Sequence, residues 1–414
     1  MRIPWLRSNF LARRRLDQIV FDFPDFVLRA ASGRRHWPPY SLRSFVGGAQ
    51  DFEQTGKWFV HDLQELGLLA PGMRILDIGC GCGRVAQPLS IDPAVRQLLT
   101  KYIGIDVDRA VIRWCQRHIT PRNPRFQFFH ADCHSSAYNP HGLIPSAEYR
   151  FPFPDSSFDL ILLTSVFTHV LPDELRHYLI EAGRLLAPGG MAYATFFFVD
   201  QKSAITERTT PGWSIRFPYS HGHYAVASDT EPTIAVAYDE MFVRQQAGDA
   251  GLRVIEPPRY SSQDLLLFCK KGDPRREPEL KTGWHELEKG RWRWTERIFD
   301  VKLSPADGDT TLRFRFTIAK PLLEQLGSVR LRATAGKARL PEGEYTTDGE
   351  HLYVQALPPE VLTGKPITIR FELNGAFGPT PIDRRELGLQ VVFWSYLGSP
   401  FDTTLQPQYP ITIS

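Results

Sequence analysis

Three glycines at alternate positions, Gly79, Gly81 and Gly83, separate an apolar run from a helical pattern in the segment RILDIGCGCGRVAQ. The apolar run predicts a buried strand, and the glycines predict a tight turn whose backbone closely approaches a ligand. The third glycine comes one position too early for the dinucleotide fingerprint, which finds Arg84 in its place. The segment therefore predicts a cofactor site and leaves the type of cofactor open.

Acidic residues stand at the ends of three predicted strands. Asp77 ends the first strand, Asp106 follows in YIGIDVD, and Asp132 follows in HADC. A carboxylate at position 77 opposes a pyrophosphate but suits an ammonium or sulfonium cation. Asp106 is placed to accept two ribose hydroxyls, and Asp132 to accept from an adenine amino group. A dehydrogenase would also carry an acid at position 106, so Asp77 is the residue that favours a positively charged donor.

Strand and helix patterns alternate through residues 46–272. The strand patterns include KYIGIDVD, FDLILLTSVF and MAYATFFFVD, and helical patterns such as RAVIRWCQRHI and PDELRHYLIEAGRLL separate them. This alternation predicts an α/β fold: a Rossmann-like, mostly parallel seven-stranded sheet with helices on both faces. Ligands of such sheets bind at the carboxyl ends of the strands.

Residues 273–414 have a different pattern. The charged break KKGDPRREPELKTG is followed by short runs that alternate in period two, which predicts a C-terminal all-β sandwich domain. Trp284, Trp292 and Trp294 open this region. We expect them to fill or cover the sandwich core, and the alternative is that they stack on sugars.

Residues 1–45 are rich in arginine and aromatic side chains, and HWPPY interrupts any helix because proline lacks an amide donor. We expect a solvated basic arm that packs loosely on the next domain. The alternative is an arm that touches an anionic lipid surface or an anionic glycan.

The whole chain has 414 residues, of which 42% are hydrophobic and 23% charged, with a net charge of +3. This near-neutral charge gives no electrostatic reason to expect a nucleic-acid partner, and no apolar run is long enough to span a bilayer. The five cysteines form no C-x-x-C pair, which disfavours a disulfide scaffold or a zinc site and indicates a reducing cytoplasm. A redox pair of Cys80 and Cys82 is disfavoured by their spacing.

Five segments, in order and at compatible spacing, resemble the class I S-adenosylmethionine-dependent methyltransferases over about residues 45–271. They are ILDIGCGCGR, YIGIDVD, HADC, FPFPDSSFDLILLTSVFTHV and RLLAPGGMAYATF. The resemblance implies S-adenosyl-L-methionine as the cofactor. It implies that the cofactor is bound by Asp77, Gly79, Cys80, Gly81, Asp106, Val107, Asp132, Cys133 and Thr164, with Val107 and Cys133 flanking the adenine.

Methyl transfer to a hydroxyl is helped by a general base, and histidine is suited to this role near neutral pH. His169 follows the fourth strand, and His221 and His223 lie in a segment inserted before the last helix. The alternatives are that His169 only fixes its loop and that the pair belongs to a mobile polar lid or holds a metal. We predict no resident metal. Tyr138 and Asn139, in the loop after the third strand, are predicted to line the acceptor cleft.

The stretch GWHELEKGRWRWTERI also resembles the opening of β-sandwich modules attached to bacterial glycosyltransferases and polysaccharide-modifying enzymes. It implies O-methylation of a sugar hydroxyl on a bacterial surface glycan or its precursor, with glycan-assembly enzymes as partners. One alternative is a small-molecule O- or N-methyltransferase whose sandwich serves oligomerisation, and another is a non-enzymatic scaffold. We expect a cytoplasmic protein without nucleic-acid partners, with peripheral contact at the inner face of the membrane as one option.

Overall fold

The computed structural model describes residues 10–44, 52–66, 68–70, 72–136, 138–199, 206–210, 213–259, 263–271, 279–286, 288, 293–305, 310–381, 383–391 and 396–398. The chain divides into two compact units, Met1–Asp273 and Pro274–Ser414.

The first unit is built from alternating helices and strands. Its helices are α1 (Phe10–Val20), α2 (Asp22–Ala31), α3 (Tyr40–Arg43), α4 (Phe52–Glu65), α5 (Ala86–Ile91), α6 (Pro93–Leu98), α7 (Arg109–His118), α8 (Pro172–Leu185) and α9 (Glu240–Asp249). Its strands are β1 (Met73–Ile78), β2 (Leu99–Asp106), β3 (Phe126–His130), β4 (Phe158–Leu163), β5 (Leu186–Phe196), β6 (Thr206–Thr210), β7 (Trp213–Phe217), β8 (Tyr219–Ser220), β9 (Tyr224–Val226), β10 (Val236–Tyr238), β11 (Leu252–Arg259) and β12 (Asp264–Lys270).

Seven of these strands form one sheet in the order β11-β12-β5-β4-β1-β2-β3. Strands β1 to β5 pair in parallel, and β12 runs antiparallel to both of its neighbours. The predicted Rossmann-like, mostly parallel seven-stranded sheet is confirmed. The strand order reverses between β1 and β4, and the carboxyl ends of these strands open the crevice where such sheets bind ligands.

The central strands are apolar because both faces of the sheet are covered. From Ile75 to Ile78 in β1, and from Leu160 to Leu163 in β4, every side chain is buried. Such continuous burial is typical of parallel sheets flanked by helices on both sides. The sheet is therefore a rigid base, and the loops at its carboxyl edge carry the candidate chemistry.

The N-terminal residues 10–44 differ from the loosely packed arm that the sequence predicts. They form α1, α2 and α3, and Asp25, one of their three acidic side chains, is buried in ion pairs with two arginines. Asp25 accepts hydrogen bonds from Arg29, at 2.6 Å, and from Arg43. The prediction of loose packing was wrong because these internal pairs neutralise arginines that look solvated in the sequence. Residues 1–9 lie outside the described residues.

The segment between β5 and α9 contains a hairpin of β6 and β7 and a three-stranded antiparallel sheet in the order β10-β9-β8. The Val236 amide of β10 donates to the Thr168 carbonyl at 2.8 Å, and the Tyr238 hydroxyl donates to the Val170 carbonyl at 2.5 Å. These bonds fix the small sheet against the loop that follows β4.

The second unit contains β13 (Glu279–Leu280), β14 (Arg293–Trp294), β15 (Ile298–Leu303), β16 (Thr311–Ile318), β17 (Val329–Ala335), β18 (Ala338–Tyr345), β19 (Gly349–Ala356), β20 (Ile367–Leu373), β21 (Gln390–Val391) and β22 (Tyr396–Gly398). It also has one seven-residue helix, α10 (Lys320–Leu326), within the predicted all-β region. Two antiparallel sheets form, with orders β13-β15-β20-β17-β18 and β14-β21-β16-β19.

Aromatic side chains join the two sheets of the second unit. The rings of Phe314 on β16 and Phe371 on β20 stack with their centroids 4.6 Å apart, so the sheets pack face to face as predicted. The Trp284 ring packs against Phe299 and its Nε1 donates to the Asp300 carbonyl at 2.8 Å, which agrees with a structural role. Trp292 lies outside the described residues.

Candidate cofactor and acceptor site

A cavity of about 480 Å³ lies at the carboxyl edge of the seven-stranded sheet. This volume falls within the range of roughly 300–1,000 Å³ typical of sites for small organic ligands. Eight of the residues that the sequence predicts for the site line the cavity: Gly79, Gly81, Asp106, Val107, Cys133, Tyr138, Thr164 and His169. The structure thus brings together segments that are up to ninety positions apart in the chain.

The turn after β1 requires its glycines. Gly79, Gly81 and Gly83 all have positive φ values, of 72°, 53° and 80°, where side chains are disfavoured. A Cβ at Gly79 would also lie 2.6 Å from the Val166 side chain in the loop after β4. The turn therefore packs bare backbone against that loop at the cavity wall.

Asp106, at the end of β2, holds this turn in place. One carboxylate oxygen accepts the Gly81 amide and the other accepts the Asp108 amide, both at 2.8 Å. Each oxygen keeps a lone pair for a further donor, which suits the predicted bonds to two hydroxyls. Burial raises the pKa of Asp106 to about 6, although both amide bonds favour the charged form.

Asp77 lies behind the turn and is not among the cavity-lining residues. Its carboxylate is buried and accepts the Tyr102 hydroxyl, while its Oδ1 has no hydrogen-bond partner in the described part of the chain. Burial raises the pKa of Asp77 to about 7. The Asp77 carboxylate therefore does not face the cavity, and its predicted role in binding the cofactor stays a prediction.

Cys80 also lies outside the cavity lining. The side chain is buried, and its Sγ faces β2, where it would be 2.8 Å from a Cβ on Gly104. The position therefore packs the turn onto the sheet.

The loop after β3 places its polar residues in two groups. The Asn139 amide donates to the Cys133 carbonyl at 3.0 Å and to Asp132 Oδ1 at 3.4 Å, and neither Asn139 nor Asp132 lines the cavity. Cys133 and Tyr138 do line it. Asn139 thus shapes the loop, and its predicted contact with the acceptor is not provided by this arrangement.

His169 is held on the cavity wall by backbone. Its Nδ1 lies 3.0 Å from the Thr233 carbonyl, so this nitrogen carries the proton and donates it. The Tyr138 ring packs edge-on against the imidazole, with centroids 5.9 Å apart. Burial lowers the pKa of His169, which outweighs the opposing effect of the Thr233 and Ile234 backbone. A neutral imidazole with Nε2 as its proton acceptor results.

His221 and His223 are not among the residues that line this cavity, so their predicted role as its base stays a prediction that this arrangement does not provide for. They flank Gly222 in an exposed turn between β8 and β9, where φ of Gly222 is 80°. His221 Nε2 bonds to Asp229 at 2.9 Å, whereas the His223 ring stacks on Phe242. The turn separates the two side chains, because only a continuous strand places i and i+2 on one face.

Among the residues that the structure describes, no group of three or more His, Cys, Asp or Glu side chains is arranged to hold a metal ion. In the same part of the chain, no helix is long and apolar enough to cross a membrane.

Several cavity residues were missed from the sequence. Arg14 of α1 pairs with Asp108, whose other oxygen accepts the Ala110 amide at 2.9 Å and caps α7. An aspartate before the helical pattern RAVIRWCQ is a readable capping signal, but nothing near Arg14 predicts its partner 94 residues away. Thr233 is placed by the small sheet, and its hydroxyl lies 2.9 Å from that of Ser136.

The residues present fit S-adenosylmethionine. The bare turn can lie against a methionine chain, Asp106 offers two acceptor oxygens for ribose hydroxyls, and Val107 and Cys133 offer apolar contacts for a base. Together with the sheet order, this arrangement matches a nucleoside-like ligand better than a metal.

The comparison with protein families agrees with this site. Residues 76–194 match the family model described as a methyltransferase domain. The predicted S-adenosylmethionine-dependent methyltransferase domain, with S-adenosyl-L-methionine as methyl donor, is thereby confirmed for this part of the chain.

Similar curated proteins have different acceptors in their names. A tRNA N(3)-cytidine methyltransferase METTL2 of Gallus gallus is 29% identical over 28% of this chain and 28% of its own length. A Homo sapiens eEF1A lysine and N-terminal methyltransferase is 26% identical, over 66% of this chain and 39% of its own. The ubiquinone biosynthesis O-methyltransferase of Maricaulis maris (strain MCS10) is 28% identical, over 29% and 39%. The chain thus spans less than half the length of these relatives.

Proposed function

We propose that the first unit transfers a methyl group from S-adenosylmethionine to a hydroxyl, with His169 as the general base. The observation that carries this proposal is the bond from His169 Nδ1 to the Thr233 carbonyl, on the wall of the cavity that the glycine turn also lines. It leaves Nε2 of a neutral imidazole as the proton acceptor within reach of the cavity.

The cofactor would supply an electrophilic methyl group on its sulfonium. The turn around Gly81 and the carboxylate of Asp106 would fix its position, since both lie on the cavity wall and are bonded to each other. His169 would take the proton from the acceptor hydroxyl at Nε2 as the oxygen–methyl bond forms and the sulfonium–methyl bond breaks, so that S-adenosylhomocysteine would be the leaving product. Its Nδ1–H bond to the Thr233 carbonyl would then stabilise the imidazolium.

Exchange of this histidine tests the proposal. His169→Asn should lower turnover by roughly 10²–10⁴-fold, as expected for loss of general base catalysis. Affinity for S-adenosylhomocysteine, measured by calorimetry, should stay close to that of the wild type. The matched control is His221→Asn in the exposed turn, which should leave both quantities unchanged. Wild-type turnover in His169→Asn, or no uptake of S-adenosylhomocysteine by the wild type, would contradict the proposal.

For the acceptor, we propose a sugar hydroxyl of a bacterial surface glycan or its precursor. Hydroxyl side chains line the cavity, among them Ser135, Ser136, Tyr138 and Thr233, and these can exchange hydrogen bonds with a sugar. The sandwich motif around Trp284 supports the same acceptor class. The alternative acceptor is a small metabolite, with the sandwich used for oligomerisation. The names of the relatives include several kinds of acceptor and so favour neither the sugar nor the metabolite.

Incubation with methyl-labelled cofactor and a panel of sugars, lipid-linked oligosaccharides and small metabolites separates these classes. We expect label in carbohydrate. Label that enters only metabolites would reject the glycan acceptor while leaving the methyl transfer itself intact.

We also propose that α1 and α2 contact an anionic lipid surface, at the inner face of the membrane for a cytoplasmic enzyme. Large apolar side chains on these helices face outward: Ile19 is 80% exposed, Phe23 75% and Leu28 69%, and Leu16, Val20, Phe21, Phe26 and Val27 are also exposed. An exposed apolar area of this kind marks an interaction site.

The charges around this apolar face favour lipid over a second copy of the chain. Residues 1–44 contain nine arginines and three aspartates. All three aspartates have partners within the fold: Asp17 accepts from Ser44, Asp22 from Ser41, and Asp25 from Arg29. A second copy would bring the same excess of arginine against itself, whereas anionic headgroups neutralise it.

Sedimentation with phosphatidylcholine vesicles, with and without phosphatidylglycerol, tests this contact. Phe23→Ser should weaken partitioning to anionic vesicles by about tenfold or more, because one buried phenylalanine contributes about 2 kcal/mol. Leu143→Ser, at a residue 82% exposed elsewhere on the unit, is the matched control. Equal partitioning of all proteins would contradict the contact. A wild-type dimer that only Phe23→Ser disrupts would assign this face to a second copy.

A further inference from the structure

A second cavity, of about 200 Å³, shares no lining residue with the cofactor cavity. Its walls come from the loop between α2 and α3, from α5, from α6 and from the end of α7. The polar side chains that line it are His36, Gln87, Ser90, Arg96, His118 and Arg122, and no acidic residue lines it. The wall therefore carries two permanent positive charges and two imidazoles without a carboxylate among them.

Both arginines of this wall lack a counter-ion. Within the described residues, neither the Arg96 nor the Arg122 guanidinium takes part in an ion pair or a hydrogen bond, in contrast to Arg14, Arg29 and Arg74. Glu53, the acid whose charge acts on His36, is itself engaged by Lys57 at 2.6 Å and by Arg34 at 3.9 Å. Among the described residues, no acid lines the cavity and neither of its arginines has an ion-pair partner.

The amide of Gln87 adds a buried polar group that also lacks a partner. Gln87 is only 6% exposed, and its Nε2 has no hydrogen-bond partner among the described residues. A buried donor without an acceptor is costly, so such groups usually meet a ligand, an ion or water. Here the group lines the same cavity as the arginines, which points to an acceptor inside it.

Two histidines also face the space, and a protonated imidazole can donate to an anion there. His118 Nδ1 lies 2.9 Å from the Trp114 carbonyl and its ring stacks on the Trp114 ring, which leaves Nε2 as the nitrogen for another partner. His36 approaches from the N-terminal helical segment. Burial lowers the pKa of His36, and Arg122 acts in the same direction while Glu53 opposes it. An anion in the cavity would offset that unfavourable charge.

We propose that this cavity binds a phosphoryl group. Two guanidinium groups and the Gln87 amide supply more donors than one carboxylate can accept, whereas a phosphate carries about two negative charges and three terminal oxygens. The space is smaller than the roughly 300 Å³ at which pockets for drug-sized ligands begin. It therefore suits the phosphate end of a molecule, either a free phosphorylated metabolite or the headgroup of a lipid.

Calorimetric titration of the full chain with inorganic phosphate at low ionic strength tests the free form. We expect one binding event per chain that Arg122→Gln weakens by about tenfold, since a hydrogen bond to a charged group is worth at least that factor. Arg113→Gln is the matched control, because this arginine is exposed on α7, close in sequence to Arg122, and lies outside the cavity. Affinity for S-adenosylhomocysteine, unchanged in both variants, verifies the fold.

Vesicles with phosphatidic acid test the lipid form, since both variants keep the apolar face of α1 and α2. Binding to vesicles but not to free phosphate, with loss only in Arg122→Gln, assigns the site to a headgroup. Gln87→Leu provides a second variant that removes the unpartnered amide without a charge, and it should weaken the same binding event. Equal affinity in wild type, Arg122→Gln and Arg113→Gln, or no binding of phosphate in either form, would overturn the proposal.

Discussion

Replacement of the buried Asp77 by asparagine should make the first unit more stable at alkaline pH. The carboxylate has one bond, from the Tyr102 hydroxyl, and its other oxygen has no partner in the described part of the chain. Burial raises the pKa from its usual 3.8 to about 7, although Tyr102 and the buried Arg84 both favour the charged form. The protein therefore keeps a charge, at neutral and alkaline pH, that its own packing disfavours.

The size of the effect follows from proton linkage. A change in pKa from 3.8 to about 7 corresponds to roughly 4 kcal/mol, since each pKa unit is worth about 1.4 kcal/mol. Between pH 3.8 and about 7 the folded state still holds a proton on Asp77 that the unfolded state has released. The free energy of unfolding therefore falls as pH rises from 3.8 to about 7, and it levels off above that pH. Between pH 5 and pH 8 the wild type should lose roughly 2–3 kcal/mol through this group alone. Asp77→Asn should lack this loss.

Urea unfolding of wild type and variant at both pH values measures the difference, and hydrogen exchange of the peptides that contain β1 and β2 assigns it to the first unit. Asp132→Asn serves as the control, because this acid is only partly buried and accepts the Asn139 amide. An Asp77→Asn protein that is less stable than the wild type at pH 8, or a stability gap that does not change with pH, would refute the reasoning.

Three further outcomes concern the cofactor cavity. Asp106→Ala should weaken binding of S-adenosylhomocysteine by about tenfold or more in calorimetry, because the carboxylate faces the cavity and also holds the turn. Gly79→Ala should weaken it too, since its Cβ would lie 2.6 Å from Val166, whereas Gly222→Ala, with open space around it, should not. Turnover should fall as pH drops through a pKa below 6.5, because burial lowers the pKa of His169 and only its neutral form accepts a proton. An acidic limb of the pH–turnover profile with its midpoint at or above 6.5 would contradict the assignment of His169 as the base.

The sheet and its glycine turn could be predicted from the sequence because each depends on local signals. Apolar runs of strand length, helical spacing between them and glycines at positions of positive φ all lie within a few residues of the elements they specify. Connections in α/β folds are short and right-handed, which limits the possible strand orders. The sequence pattern YIGIDVD predicted the end of β2 at Asp106, and Asp106 lines the cavity as expected.

Side-chain direction at the strand ends could not be predicted. Successive residues of a strand point to opposite faces, so an error of one position reverses the assignment. Asp77 turns toward Tyr102 on the neighbouring strand and away from the cavity. His221 and His223 were expected to share a face of a strand, but Gly222 forms a turn between them and each finds its own partner.

The role of the N-terminal segment was missed because its arginines look solvated when they are counted. One local signal was present: Asp25 and Arg29 are four residues apart, a spacing that stabilises a helix. The partners of Arg14 and Arg43 are set by tertiary packing at separations of 94 and 18 residues, and no pattern of period two or 3.6 encodes them.

A series of bonds links the N-terminal helix to the cofactor turn. The Gly81 amide bonds to Asp106, the other oxygen of Asp106 bonds to the Asp108 amide, and the Asp108 side chain pairs with Arg14 of α1. Arg14 and Leu42 also line the cavity. The wall around the predicted cofactor is thus completed by residues that precede the glycine turn by 35 positions or more. α1 also carries part of the exposed apolar face. A membrane surface that displaces this helix would therefore first break the pair of Arg14 with Asp108, and it would then affect the turn through Asp106.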